Sequence, residues 1–271
     1  MKLKRILGLL VFALLTIACK NNKETKDTKI VDTVQHDTKH KDNDLHWSYS
    51  GETGPEHWAE FEKGSSCGGT SQSPINIIKI DATLDPNLKP LELNYTANTK
   101  IHDVTNNGHS IQFNFEEGDY LFFNTEKYVL KQFHFHEAAE HTINGVRYPI
   151  EIHLVHVNQK GEILVIGIMA EEGINSEPFT FLESYLPLIV NEKKIVDAPF
   201  NMASILPDNK AFYTYSGSLT TPPCSENVTW IVLKEPITIS EVQLKELQKL
   251  MPKNNYRNEQ PLNGRVVKMT N

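Results

Sequence analysis

Cysteine is scarce in this chain of 271 residues, which has three, so at most one internal bridge can form and a disulfide-dense scaffold is excluded. Positive charge is also short. Against 34 acidic residues stand 27 Lys and Arg, a net charge of -7, and no basic cluster occurs in the part of the chain that folds. A phosphate-binding surface needs such a cluster, so nucleic acid is excluded as a partner, while small uncharged or anionic substrates stay open. Long apolar runs are missing as well, because the longest, Ile6 to Ile17, is too short to cross a bilayer comfortably. No internal repeat is present, and low complexity is confined to the N-terminal tail.

What is present begins with an address. Met1-Lys2-Leu3-Lys4-Arg5 is a positive segment before the apolar run, the pattern of a secretory signal. The run ends Leu15-Thr16-Ile17-Ala18-Cys19, which resembles a bacterial lipoprotein box with imperfect residues at Thr16 and Ile17. Cys19 is thus the candidate lipid acceptor, with ordinary cleavage or an uncleaved anchor as the alternatives. From Lys20 to about Asp44 the chain is rich in Lys, Asp and Thr and holds too few apolar residues to fold, as expected of a tether. The expected organisation is a signal over 1–19, a polar tether over 20–45 and one domain over 46–271. The product would be exported to the periplasm or cell surface and held at a membrane only through its lipid; nothing in the sequence sets its oligomeric state.

Gln132-Phe133-His134-Phe135-His136 and Glu151-Ile152-His153-Leu154-Val155-His156 carry the chemistry. Successive strand side chains alternate faces, so His134 and His136 share one face while Phe133 and Phe135 pack on the other. His153 lies in a second alternating run, and the Asn144-Gly145 turn signal between the runs could place it beside the first pair. Three neutral imidazoles with a free fourth position form a zinc arrangement open to water. A lone strand His is more often a half-buried polar residue, but Gln132 and Glu151 each precede a ligand candidate by two residues, where they can take up its second N–H. His156 falls on the opposite face and is left out of the metal set.

Together with Gly54-Pro55-Glu56-His57-Trp58, Gln72-Ser73-Pro74-Ile75-Asn76-Ile77, Asn106-Asn107-Gly108-His109 and Ser216 to Pro223, these runs resemble α-class carbonic anhydrase, in that family's order, over about Trp47 to Lys268. The resemblance implies a mainly β single domain with a large twisted, mostly antiparallel central sheet and short peripheral helices. It implies one Zn2+ per chain and reversible hydration of carbon dioxide to bicarbonate and a proton by zinc-hydroxide attack. His134, His136 and His153 would hold the metal, with Gln132 and Glu151 behind them. Val155, Val165, Leu219 and Trp230 would wall the carbon dioxide site, although core packing alone would also account for them. Glu140 and Thr220 would orient the nucleophile and Thr221 would contact bicarbonate. His109 would shuttle protons along a path that Tyr49 and Asn107 help to hold. With Cys19 given to lipid, Cys67 and Cys224 remain, and the resemblance implies that they pair; two separate thiols are the alternative.

Pattern alone predicts strands at Leu91–Tyr95, Ser110–Phe115, Tyr120–Phe123, Val129–His136, Ile150–Val157, Ile163–Ala170 and Val228–Leu233, and leaves a jelly roll equally open. Helices are predicted over Pro178–Ile189, with Pro in the first turn, and Ser240–Met251, where Ser240 and Gln243 form a capping box and Pro252 follows. Glu137, Ala138-Ala139 and Lys131 depart from the family pattern. His134-x-His136-x-x-x-Glu140 also matches half of a cupin motif, which would imply an iron or manganese oxygenase or isomerase, but its Pro-x-Gly partner motif is missing. A non-catalytic carbonic-anhydrase-like binding domain is the third reading, against which stand three intact ligand candidates.

Overall fold

Strict alternation over the two histidine-bearing runs builds a sheet whose faces differ in chemistry. The computed structural model describes residues 46–61 and 64–271, so the signal, Cys19 and tether expectations lie outside the described residues. The principal strands are β1 (Thr99–Asn106), β2 (Ile111–Phe115), β3 (Tyr120–Phe123), β4 (Glu126–His136), β5 (Ile150–Val157), β6 (Ile163–Glu172), β7 (Phe212–Ser218) and β8 (Glu226–Leu233). Among the described residues they belong to a 14-stranded sheet whose path runs β1-β2-β4-β5-β6-β8-β7. Every adjacent pair on that path is antiparallel except β6 with β8. The mostly antiparallel expectation therefore holds.

One face carries Phe133 and Phe135 from β4, Ile152 and Leu154 from β5, and Ile166 and Ile168 from β6, all fully buried in one cluster. Each such side chain contributes on the order of 1.5–3 kcal/mol by leaving water. Helices α2 (Glu177–Glu183) and α3 (Glu241–Leu250) feed Phe179, Leu182, Leu244 and Leu247 into the same cluster. The predicted cap of α3 is present: Ser240 Oγ accepts from the Gln243 N–H, and Gln243 Oε1 accepts from the Ser240 N–H. Helix α2 is shorter than predicted, because Pro187 disfavours helical backbone at Leu186 before it. Trp58–Phe61 forms a one-turn α1.

The structure departs from the sequence reading at four places. Strand β7 lies outside the predicted strands: Ser216, Gly217 and Ser218 are weak strand formers, and tertiary burial on both faces overrides that composition. Strand β1 escaped for a similar reason, with Asp103 and Asn106 buried among its apolar residues. The Asn144-Gly145 turn does not join β4 to β5 directly. Both residues have positive φ and close a small hairpin, Thr142–Ile143 with Val146–Arg147, that pairs with Asn76–Ile77 as a separate sheet. The excursion brings Glu140 and His141 back beneath the site. Alternation also breaks once on β4. Gln132 pairs with Val155 and Leu130 with His156, so Lys131 is the extra residue of a bulge. Tyr128 and Leu130 thereby share the buried face with Phe133 and Phe135.

Candidate metal centre

The β4–β5 register sets His153 directly opposite His134 and Glu151 opposite His136. Ring centroids lie 5.0 Å apart for His134 and His136, 5.2 Å for His134 and His153, and 4.5 Å for His136 and His153. One ring nitrogen of each is held from behind. His134 Nδ1 donates to Gln132 Oε1 at 2.8 Å, His136 Nδ1 to the Asn255 carbonyl at 2.6 Å, and His153 Nε2 to Glu151 Oε1 at 2.9 Å. That fixes the tautomers and leaves Nε2, Nε2 and Nδ1, in that order, for a ligand. The ligating atoms gather within 4.8 Å of one another.

The donor set fits a zinc ion. Among the described residues His136 Nε2 is buried with no hydrogen-bond partner, which in an interior is costly unless something else takes its lone pair. Burial lowers the basicity of all three rings, well below the usual range for His134 and to about 4 for His136, so each presents a neutral imidazole. Glu151 behind them is fully buried; burial opposes its ionisation, but His141 and His153 outweigh that and hold it well below the carboxylate range. Its Oε2 also accepts the N–H groups of Glu140 and His141 at 2.9 and 2.8 Å. Space for this carboxylate comes from Gly167, which pairs with His153 on β6: a Cβ there would stand 2.7 Å from Glu151 Oε1.

Glu140 is completely buried. Its Oε1 accepts from the Arg257 N–H at 2.9 Å, and Oε2 faces the site, 3.5 Å from His136 Nε2 and 3.8 Å from His153 Nδ1. Burial pushes this carboxyl up to about 7, against His153, the Thr220 hydroxyl and the Arg257 N–H, which favour the ionised form. Thr220 is thus close by, although among the described residues Oε2 has no partner in hydrogen-bond geometry. A divalent cation held by the three imidazoles would shift the balance further toward carboxylate.

Val155, Val165, Leu219 and Trp230 fall in one apolar cluster on the histidine face, with the Trp230 ring edge-on to His153 at 4.8 Å. Thr221 is half-buried, and its carbonyl accepts from the Cys224 N–H at 2.8 Å. His109 sits in the β1–β2 turn that Asn107 Oδ1 closes by accepting the N–H groups of His109 and Ser110. Its ring stacks on Trp47 at 3.7 Å, and Tyr49 lies edge-on at 6.2 Å. Burial, and then the charge of Glu140, push the Tyr49 phenol well above its usual range. Lys131 pairs with Glu117 at 2.9 Å, and the Glu137 N–H donates to Asn255 Oδ1 at 2.6 Å. His156 lies on the other face, stacked on Tyr95 and 2.6 Å from its hydroxyl, as expected of a packing residue.

Several contributors went unread in the sequence. Asn255 orients His136 through its main-chain carbonyl, which leaves no mark on residue type, and its side-chain amide donates to the carbonyls of His109 and Phe135. Arg257 donates to Gln72 Oε1, Ser73 O and Cys67 O, tying the strap after α3 to the start of the domain. Cys67 and Cys224 are disulfide-bonded, so the two-thiol alternative does not apply.

Residues 53–271 match the family model for eukaryotic-type carbonic anhydrase. A carbonic anhydrase from Klebsiella pneumoniae is 41% identical over 226 residues, covering 82% of this chain and 90% of that one. The α-carbonic anhydrase of Thermovibrio ammonificans, solved with the inhibitor sulfanilamide, superposes with a TM-score of 0.79 at 41% identity, over 82% of this chain and 98% of that one. Dioscorin, solved in complex with ascorbate, shares the fold at a TM-score of 0.77 and 30% identity, over 83% of this chain and 98% of its own. Matched along nearly all of its described length and carrying the three convergent imidazoles, the chain belongs to the eukaryotic-type, or α-class, carbonic anhydrase family.

Proposed function

We propose that the protein is a zinc enzyme catalysing reversible hydration of carbon dioxide to bicarbonate and a proton. The observation that carries this is three convergent neutral imidazoles, two buried and one half-buried, each with its second nitrogen already committed. When bound by His134, His136 and His153, zinc supplies the Lewis acidity that brings the pKa of water to about 7, a value for which carbonic anhydrases are themselves the reference case. The apolar surface of Val155, Val165, Leu219 and Trp230 suits a substrate with no charge and no hydrogen to donate. An ionised Glu140 can only accept, so a Thr220 hydroxyl brought into hydrogen-bond geometry would donate to it and keep its own lone pairs toward the site. That selects ligands that bring a hydrogen there and aims their remaining lone pair at carbon. Thr221 contacts bicarbonate. His109 carries the proton outward, along a path shaped by Tyr49 and Asn107, a task suited to an imidazole.

The cupin reading falls away with the family assignment. Dioscorin keeps a binding-domain reading in view, since one fold hosts several functions, and the intact ligand set favours catalysis. Export with lipid attached to Cys19, a polar tether over 20–45 and a catalytic domain over 46–271 complete the proposal, supported by the disulfide, which suits an oxidising compartment. The test is stopped-flow carbon dioxide hydration together with metal analysis. One zinc per chain, activity lost to a chelator and restored by zinc, is the expected result; undiminished activity in metal-free protein would overturn it.

A further inference from the structure

His109 is not the outermost imidazole on its side of the molecule. His46 Nε2 stands 3.0 Å from His109 Nε2, one ring donating and the other accepting, with centroids 5.1 Å apart. The next residue, Trp47, lies flat on the His109 ring at 3.7 Å and 13°. Consecutive residues therefore hold one ring by its edge and its face. His109 is half-buried, whereas His46 is exposed to water. Burial, and then the neighbouring His46, lower the basicity of His109, which eases release of a proton once one has arrived.

We propose that His46 is the outer member of a two-imidazole relay through which a proton taken up by His109 reaches solvent. The proposal rests on the reading of His109 as the shuttle. His109 accepts a proton at Nδ1 and becomes imidazolium; its Nε2–H bond breaks as an N–H bond forms on His46 Nε2. His109 is left neutral, and His46, now imidazolium, gives its Nδ1 proton to a buffer base. No electron moves, one proton enters and one leaves; both rings end as the opposite tautomer, and proton exchange with water at His109 as well as at His46 restores the starting tautomers between turnovers. A separation of 3.0 Å is within the range for direct transfer. Trp47 keeps the two nitrogens aligned without taking part in transfer, because its ring carries only a donor.

Hydration rate against imidazole buffer concentration, measured for the full chain, His46→Ala, His46→Gln, His109→Ala and the double variant, tests this. His109→Ala should lose roughly 10²-fold at low buffer. His46→Ala should show a smaller, several-fold loss that added imidazole restores, with zinc content unchanged, and the double variant should be no slower than His109→Ala. His46→Gln keeps a hydrogen-bonding side chain but cannot carry a proton, so it should resemble His46→Ala. Full low-buffer rate in His46→Gln would show that only positioning matters and overturn the relay. Full rate in both His46 variants, with His109→Ala slow, would overturn the relay and keep the shuttle. Full rate in His109→Ala would overturn both.

Discussion

Glu140→Gln asks what one carboxylate does in a site full of imidazoles. Its Oε1 is already engaged by the Arg257 N–H, and only Oε2 faces the ligand nitrogens. An amide at that place can donate to Thr220 and reverse the sense of its hydroxyl, so the variant should retain zinc and lose roughly 10²-fold or more in turnover, the scale of one oriented hydrogen bond in a closed site. Metal analysis beside stopped-flow rates checks this: loss of zinc in the variant would make Glu140 a ligand instead. At this scale the sequence was informative where a role depends on side-chain type and a period of two. His134 and His136, with Gln132 two residues before the first, could be placed on one face from spacing alone, as could Glu151 with His153; the pairing of the two runs could not, because the Asn144-Gly145 turn closes a separate hairpin. The third outer partner could not, because any residue has a carbonyl, and only the folded path brings Asn255 to His136.

Strand β6 shows how an element without a ligand still shapes the site. Gly167 faces the centre of the Glu151–His153 pair, and its missing side chain is the space the carboxylate occupies. Gly167→Ala should push Glu151 from its four donors, costing about 1–3 kcal/mol in stability and roughly 10- to 100-fold in zinc affinity. Chelator competition and denaturant unfolding read the two effects separately, and wild-type values in both would show that β6 yields instead. Strands β4, β5 and β6 and helix α3 were legible because alternation and a capping box are local signals. Strands β1 and β7 were not, since the buried side chains of Asn106 and Ser218 bond to Leu188 O and the Ser73 N–H, partners that no local window contains. The bulge at Lys131 was hidden as well, being a property of two strands and not of one.

Across the whole molecule, the Cys67–Cys224 bridge spans 157 residues and joins the entry to the domain with the Thr220–Thr221 loop. In a chain-entropy account so long a loop gives an upper limit of about 5 kcal/mol of stabilisation. The bond has a local side too: Cys67 O accepts from Arg257, whose N–H supports Glu140, and the Cys224 N–H donates to Thr221 O. Reduction, or the paired Cys67→Ser and Cys224→Ser replacement, should lower the denaturant midpoint and slow turnover while zinc is retained. An unchanged midpoint would show that packing around Trp58 suffices.

The strap after α3 also bears on the order of events in folding. His136 takes its tautomer from a residue 119 positions further on, and Arg257 reaches back 185 positions to Gln72. Contacts so distant in sequence form late, because the intervening chain must be ordered first. A nascent or truncated polypeptide ending before Asn255 would possess every ligand and yet lack a fixed proton on one of them. If the centre takes zinc as proposed, the ion would bind most tightly once the C-terminal segment has docked, and its binding free energy would act as a latch on the finished domain.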